Sequence, residues 1–236
     1  MRASMNAARP KAPIVLIVPT RNEEGAIGPA LAKVPRHRVD RIIVADGNST
    51  DSTVARARAA GAEVIAAGRG YGRACWLGAL AAPDDAILVY MDGDGSDRAD
   101  LIEWLIGPIL SDQADFVIAS RTRGEREPGS MGWHQVVAGH LAGLMIRGLY
   151  GARYTDMCAF RAIRRSHLLG LGMKEMSYGW NLEMQMRAAK AALRVLEIPV
   201  PYGARVSGES KVSGHFGTGV RVSWQLASTF LRVALS

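Results

Sequence analysis

Hydrophobic residues form continuous runs through the first half of the chain, and mixed polar and apolar stretches separate these runs. A short continuous apolar run is typical of a strand that is buried on both faces of a sheet. The runs predict strands at 13–19, 41–46, 62–67, 86–92 and 115–120. The stretches between them predict helices at 23–33, 51–60, 73–82 and 98–110. Strands separated by helices indicate an α/β fold with a mostly parallel, twisted sheet and helices on both faces.

The second half of the chain is less regular. It predicts helices at 132–150, 178–193 and 220–235, a strand at 194–202 and a basic Gly/Ser-rich loop at 203–217. The last helix has a wide apolar face beside a narrow strip of polar residues, namely Arg221, Gln225, Ser228 and Arg232. We therefore expect a flexible leader at 1–12, one domain at 13–217 and a C-terminal amphipathic helix at 218–236.

Composition and charge narrow the possible partners. The chain of 236 residues is 48% hydrophobic and 22% charged, as in ordinary globular proteins, and its net charge is +7. A basic balance favours phosphate-rich ligands or an anionic membrane surface. Nucleic acid is not expected, because no zinc-finger spacing, basic heptad helix or RNA-binding aromatic motif is present.

The compartment is predicted from the cysteines and from the lengths of the apolar runs. Cys75 and Cys158 are far apart in the sequence and indicate neither a disulfide framework nor a metal site. No apolar run reaches the roughly 18 to 20 residues of a membrane span, and no signal peptide is recognisable. We expect a cytoplasmic protein.

Two carboxylates follow the fourth predicted strand in the segment "YMDGDGSD". Asp92 and Asp94 are two residues apart on a turn, so both can point at one ligand. Oxygen ligands of this kind suit Mg²⁺ or Mn²⁺ with a substrate phosphate. The alternative is a turn that uses Asp and Gly for its backbone geometry. Either Asp97, in the same segment, or Asp100 is a candidate cap for the next helix.

Other polar residues follow the first two predicted strands. Asp46 ends the second strand, and "VPTRNEE" follows the first. Ligands of open parallel sheets bind at the carboxyl ends of the strands, where these residues are expected to meet. The glycine-rich segment "GRGYGRA" (68–74) precedes a helix and can approach phosphates closely, but it is not a P-loop. Helix capping is the alternative role for the Asp, Asn, Ser and Thr residues.

The order of "VPTRNEE", "ADGNSTDST" and "MDGDGS" resembles the inverting glycosyltransferases of family 2, which have the GT-A fold. The segments "SRTRGE", "YTDMCAFRAIRR", "YGWNLEMQMRAAK", "LEIPVPY" and "RVSGESKVSG" resemble the dolichol- or polyprenyl-phosphate hexosyltransferase branch. The resemblance covers about residues 13 to 215. Ala45 departs from it, because many members have an acid there, and many relatives continue into transmembrane helices.

The resemblance implies roles for the matching residues. The donor nucleotide would be bound by Pro19, Asn22, Glu23, Asp46 and Asp92. Phosphate groups would be approached by Arg121, Arg205, Ser210 and Lys211. The Mg²⁺ or Mn²⁺ ion would be held by Asp92 and Asp94, and Asp94 is also a catalytic candidate.

The implied reaction is transfer of a hexose from a UDP- or GDP-sugar to a polyprenyl phosphate. An ionised phosphate needs little deprotonation, whereas a hydroxyl acceptor needs a general base, for which Asp156 and Glu183 are the candidates. Glu183 has an alternative role as a helix-surface charge paired with Arg187 at i+4.

Two alternative functions remain open from the sequence. The first is a soluble transferase with a hydroxyl acceptor, and the second is a nucleotide-sugar-binding module without turnover. The basic charge and the apolar face of the last helix favour a peripheral enzyme on the inner face of the membrane. The same helix face is equally compatible with packing on the core or in a homodimer interface.

Overall fold

The computed structural model of the protein describes residues 12–204, 206 and 216–236. Within them, one seven-stranded sheet consists of β1 (Ile14–Thr20), β2 (Arg41–Asp46), β3 (Glu63–Ala66), β4 (Ile87–Tyr90), β5 (Phe116–Ser120), β6 (Arg161–Arg164) and β7 (Val195–Pro199). The strand order is β3-β2-β1-β4-β6-β5-β7, and β6 alone in this sheet runs antiparallel to its neighbours. The fold is therefore α/β with a mostly parallel sheet, as the sequence predicts.

The α-helices of the described residues lie between and after the strands. They are α1 (Ile27–Ala32), α2 (Thr53–Ala59), α3 (Tyr71–Ala81), α4 (Ile102–Leu110), α5 (Trp133–Tyr150), α6 (Arg165–Gly170), α7 (Trp180–Lys190) and α8 (Phe216–Ala234). A short 3-10 helix, Ala99–Leu101, precedes α4. Every residue of β1, β4 and β5 is buried. Both faces of the central sheet are therefore covered, which explains why these strands are continuous apolar runs.

The sequence prediction omits β6 and α6, which follow each other directly. The strand is only four residues long, "RAIR", and has an arginine at each end. Such a segment has no apolar run to mark it. It becomes a strand because it pairs with both β4 and β5.

The carboxyl ends of β1, β2 and β4 meet at one edge of the sheet. Thr20 is paired with Asp46 at the ends of β1 and β2. On the other side of β1, Met91 donates its amide hydrogen to the Ile17 carbonyl just after β4 ends. The loops that carry the predicted donor-binding residues therefore start side by side.

The C-terminal helix α8 packs against α7 and presents two different faces. Val222, Thr229 and Val233 are buried, whereas Trp224 and Leu231 on the opposite face are exposed. Among the residues that the structure describes, no helix is both long and apolar enough to span a bilayer.

Candidate active site

The loop after β1 is tied to the loop after β2 by backbone hydrogen bonds to side chains. The Asn22 amide donates to Ser49 Oγ at 2.9 Å, and the Thr50 amide donates to Asn22 Oδ1 at 2.9 Å. The buried Glu23 donates its amide hydrogen to Thr53 Oγ1 at 2.8 Å. Asn22 has a left-handed backbone (φ 50°), which asparagine tolerates better than most residues. The two loops thus form one wall at the edge of the sheet.

Asp46 lies buried at the end of β2, in the middle of this wall. Its carboxylate accepts a hydrogen bond from the Ser49 amide at 3.1 Å, so it shapes its own turn. The turn is tight, because a Cβ atom on Gly47 would lie 3.2 Å from the Thr20 carbonyl oxygen. Pro19, another predicted donor-binding residue, is buried within β1 and paired with Ala45.

Asp92 and Asp94 lie on the turn that follows β4. Asp94 is buried and accepts hydrogen bonds from the amide and the hydroxyl of Ser96, at 3.0 and 2.6 Å. The turn also needs its glycines, since a Cβ atom on Gly93 would lie 2.7 Å from Thr20 Oγ1 and Gly95 has φ 77°. The turn geometry therefore accounts for the glycines between the acids and leaves the choice of two carboxylates to be explained.

The carboxylate oxygens on this turn are suitable ligands for a hard divalent cation. In the described part of the chain, no group of three or more His, Cys, Asp or Glu side chains is arranged to hold a metal by itself. Two adjacent carboxylates instead suit an ion that takes its other ligands from a diphosphate and water. Asp92 and Asp94 would be the residues that hold Mg²⁺ or Mn²⁺.

Asp97 is a third carboxyl group beside these two. It is buried and accepts a hydrogen bond from the Asp92 amide at 2.9 Å. Burial, followed by the negative charges of Asp92 and Asp94, raises the pKa of Asp97 to about 8. The side chain does not cap a regular helix, since the 3-10 helix begins at Ala99 with Arg98 as its cap residue. The predicted capping role of Asp97 is therefore wrong, and its side chain belongs to the acidic turn instead.

Arg121 follows β5 and is held in one orientation. Its Nε and Nη2 atoms donate to the two carboxylate oxygens of Asp156, at 2.8 and 2.7 Å, and its guanidinium lies 5.0 Å from the centre of the Tyr202 ring. The Tyr202 hydroxyl donates to Ser96 Oγ at 3.0 Å. Arg121 is therefore fixed between Asp156 and a residue that touches the acidic turn.

Asp156 is paired rather than poised to accept a proton. It is buried, and its oxygens also accept hydrogen bonds from the backbone amides of Arg121 and Met157. Burial by itself raises the pKa of Asp156, but the hydrogen bonds and the charge of Arg121 outweigh burial and hold the pKa below its ordinary value. These contacts favour a role in fixing Arg121, and a role as general base stays a prediction.

Glu197 on β7 holds the Asp156 segment in place from behind. Its carboxylate accepts hydrogen bonds from the amide and hydroxyl of Thr155, at 2.8 and 2.9 Å, and from the Asp156 amide at 3.2 Å. The sequence reasoning assigned no role to Glu197 or Tyr202. The available signal was their position in "LEIPVPY", where an acid interrupts an apolar strand.

Glu183 is fully buried on α7. The pair with Arg187 is present, with Nε 2.8 Å from Glu183 Oε1, but it lies inside the molecule rather than on a helix surface. The other carboxylate oxygen accepts hydrogen bonds from the amides of Lys174 and Glu175. The geometry favours a structural role, and catalysis by Glu183 stays a prediction.

Three of the predicted phosphate-binding residues, Arg205, Ser210 and Lys211, lie outside the described residues. Their neighbour Val206 is described, and its amide donates to the Asp94 carbonyl at 3.1 Å. A Cβ atom on Gly95 would lie 2.6 Å from Val206 Cγ2. The segment that leads into the predicted phosphate-binding loop therefore contacts the acidic turn directly.

Comparison with known proteins places this chain in a family. The family model "Glycosyl transferase family 2" matches residues 15–171, more than half of the chain. An uncharacterized glycosyltransferase of Mycobacterium tuberculosis strain H37Rv is 36% identical over 204 residues, which cover 85% of this chain and 90% of the relative. A dolichyl-phosphate hexose transferase of Haloferax volcanii is 31% identical over 209 residues, which cover 86% and 88% of the two chains.

The fold is also similar to that of solved structures. Glucosyl-3-phosphoglycerate synthase of Mycobacterium tuberculosis, solved in complex with Mn²⁺, UDP and phosphoglyceric acid, superposes with a TM-score of 0.74 at 22% identity. The match covers 94% of this chain and 78% of that one. The fold is thus of the GT-A type. The chain belongs to glycosyl transferase family 2, and it is a glycosyltransferase.

Proposed function

We propose that this glycosyltransferase moves a hexose from a UDP- or GDP-sugar to a polyprenyl phosphate, with inversion and with Mg²⁺ or Mn²⁺ held by Asp92 and Asp94. The choice of acceptor rests on one observation: both candidate bases are already occupied by hydrogen bonds within the protein. Asp156 is bound by Arg121 through both oxygens, and Glu183 is fully buried among hydrogen bonds. Because both acids are held in internal hydrogen bonds, neither is placed to take a proton from an acceptor. The site therefore suits an acceptor that is already ionised, such as a phosphate.

The proposed transfer needs no proton removal. An oxygen of the acceptor phosphate forms a bond to the anomeric carbon, and the bond from that carbon to the diphosphate breaks with its electron pair staying on the diphosphate. When bound, the cation neutralises charge on this leaving group. Arg121, fixed by Asp156 and Tyr202, supplies a permanent positive charge beside the acidic turn without having to reorganise.

The name of one relative supports a polyprenyl phosphate acceptor, whereas the ligand of one structural neighbour suggests a different acceptor. The Haloferax volcanii relative is named for a dolichyl-phosphate acceptor, whereas the solved neighbour binds phosphoglyceric acid. The second candidate function is therefore transfer to a hydroxyl group of a small phosphorylated acceptor. That reaction would need a base, and both candidate bases are engaged.

A peripheral position on the inner face of a membrane fits the surface of α5 and α8. Large apolar side chains are exposed on both helices, namely Trp133, Val137, Leu141, Leu144, Met145 and Leu149 on α5 and Trp224 and Leu231 on α8. Neither helix contains an acidic residue. A helix surface that exposes apolar side chains and carries no acidic residue suits the headgroup region of an anionic bilayer. A dimer interface is the alternative use of this surface.

The test is a transfer assay with three acceptors. The full chain is incubated with labelled UDP- and GDP-hexoses and Mn²⁺, and with a short-chain polyprenyl phosphate, the matching polyprenol or 3-phosphoglycerate. We expect transfer to the polyprenyl phosphate alone, and its loss in EDTA. Transfer to 3-phosphoglycerate instead would establish the second candidate. Nucleotide binding without transfer to any acceptor would favour a binding module.

A further inference from the structure

Glu175 lies where three helices approach one another. It belongs to the segment between α6 and α7, and it is buried. Its amide donates to Glu183 Oε2 of α7 at 2.6 Å. Its carboxylate faces α8, and its carbonyl group faces the start of α3. A single residue thus contacts α3, α7 and α8.

The carboxylate of Glu175 is the main polar contact of α8 in the described structure. It accepts hydrogen bonds from Gln225 Nε2 at 3.2 Å, Thr229 Oγ1 at 3.0 Å and Arg232 Nη2 at 3.1 Å. These donors are four and three residues apart, so they share one face of the helix. Part of the polar strip predicted from the sequence therefore faces the domain. The helix also comes very close, since a Cβ atom on Gly179 would lie 2.5 Å from Thr229 Oγ1.

The backbone beside Glu175 supports the start of α3. The Met176 carbonyl accepts a hydrogen bond from the Arg73 amide at 2.9 Å. A Cβ atom on Gly72 would lie 2.5 Å from the Glu175 carbonyl oxygen, and one on Gly70 would lie 2.6 Å from the Met176 carbonyl oxygen. Gly70 and Gly72 of "GRGYGRA" are thus required by this contact.

The supported segment borders the candidate donor site. A Cβ atom on Gly47, directly after Asp46, would lie 3.6 Å from the Gly68 carbonyl oxygen. Thr20 borders both donor turns, because a Cβ atom on Gly47 would lie 3.2 Å from its carbonyl oxygen and one on Gly93 would lie 2.7 Å from its Oγ1. Contacts therefore run from α8 through Glu175 and the start of α3 to the Asp46 and Asp92 loops.

We infer that Glu175 is a positioning residue that couples the docking of α8 to the conformation of the glycine-rich loop at 68–70 and so to the donor site. The inference rests on the proposed donor site at Asp46 and Asp92. If α8 moves away, the carboxylate loses the donors from Gln225, Thr229 and Arg232 together and keeps, among the described contacts, the amide and hydroxyl of Ser177. Three of its donors are then gone, one of them a charged guanidinium, so the hydrogen bonding that fixes this carboxylate is largely lost and we expect the segment to rearrange with the helix.

Hydrogen exchange tests the coupling without any substrate. The variants are Glu175→Gln and Thr229→Val in the full chain, and the readout is exchange of the Arg73 amide, which is bonded to Met176. We expect exchange about tenfold faster in both variants. Ser228→Ala is the matched control, because its exposed hydroxyl bonds only to the Gln225 carbonyl of its own helix among the described contacts. Equal Arg73 exchange in wild type and Thr229→Val would overturn the inference.

Nucleotide binding links the coupling to function. Calorimetry with UDP or GDP and Mn²⁺ should give a Kd about five- to tenfold higher for Glu175→Gln than for wild type. The KM for the donor should rise by a similar factor, with kcat at saturating donor unchanged. Arg232→Gln, whose side chain is 41% exposed, is the milder variant if Glu175→Gln does not fold, and its Kd should rise in the same direction.

The failures of the two proposals are distinguishable. If wild type binds neither nucleotide, the proposed donor is wrong, and the exchange experiment still decides the coupling. If wild type binds a nucleotide and the folded variants bind it equally well, the coupling inference is wrong and the donor proposal stands.

Discussion

The donor side and the phosphate side of the candidate site are built in different ways. On the donor side, Asp94 is held by Ser96 and Asp46 by Ser49, two and three residues further along the chain. On the phosphate side, Arg121 is held by Asp156, which is 35 residues away. The donor-side acids are thus fixed within their own turns, whereas Arg121 on the phosphate side is fixed by a distant segment that packs against it.

This difference separates two kinds of sensitivity to mutation. We expect a conservative change of an acid in a donor turn to alter ligand binding directly and to leave the fold intact, because the acid bonds to residues of its own turn. A change in the Arg121–Asp156 pair disturbs the fold and the chemistry together, because a buried ion is left without its partner.

The largest effect is expected for Asp94→Asn. The variant keeps an oxygen that can accept from Ser96 but removes the charge that would bind the cation. Metal-dependent affinity for UDP or GDP should fall by at least about a thousandfold, on the order of 4 kcal/mol, measured by calorimetry with Mn²⁺. The thermal midpoint should stay close to wild type. An unchanged affinity would remove this aspartate from the metal site, and Asp100→Asn, which changes an exposed acid paired with Arg98, is the control.

A smaller but broader effect is expected for Asp156→Asn. Loss of half of a buried ion pair should lower the free energy of unfolding by about 3 kcal/mol, measured with urea. Transfer should fall because Arg121 is no longer fixed, while the pH dependence of kcat keeps its shape. If Asp156 were the general base, the acidic limb of that profile would disappear, and the phosphate side would contain a proton acceptor rather than a structural ion pair.

The pH dependence of the free energy of unfolding should reveal the ionisation of Asp97. Its pKa is about 8 in the folded protein, above its ordinary value of 3.8, so its contribution to stability is full below pH 4 and is lost as the pH rises toward 8. Without divalent cations, the free energy of unfolding of wild type should fall relative to Asp97→Asn by about 2 to 3 kcal/mol between pH 5 and pH 7. A constant difference across this range would show that burial does not raise this pKa.

The smallest effect is expected on the outer face of α8. Leu231→Ser changes an exposed side chain, so the free energy of unfolding should change by no more than about 0.5 kcal/mol. Sedimentation with anionic liposomes should weaken about threefold, because less apolar surface enters the bilayer. Ser228→Ala should bind liposomes like wild type. Equal binding of Leu231→Ser and wild type would favour another use of this face.

The sequence by itself determined the strands of the first half and the acids at their ends. A strand covered on both faces must be a continuous apolar run, so β1, β2 and β4 are visible in the pattern. A polar residue at the end of such a run lies at the edge of the sheet, which places Asp46 and Asp92 together. These predictions succeed because each depends on residues that are close along the chain.

Only the tertiary structure decided which charges are paired and which helix face is covered. The spacing of Glu183 and Arg187 predicts their contact but not the full burial of Glu183. The sequence pattern of α8 shows a polar strip, but it does not show that Gln225 and Arg232 of this strip donate hydrogen bonds to Glu175. Periodicity reports the geometry of one element, whereas the partner of a buried carboxylate depends on which distant segment packs against it.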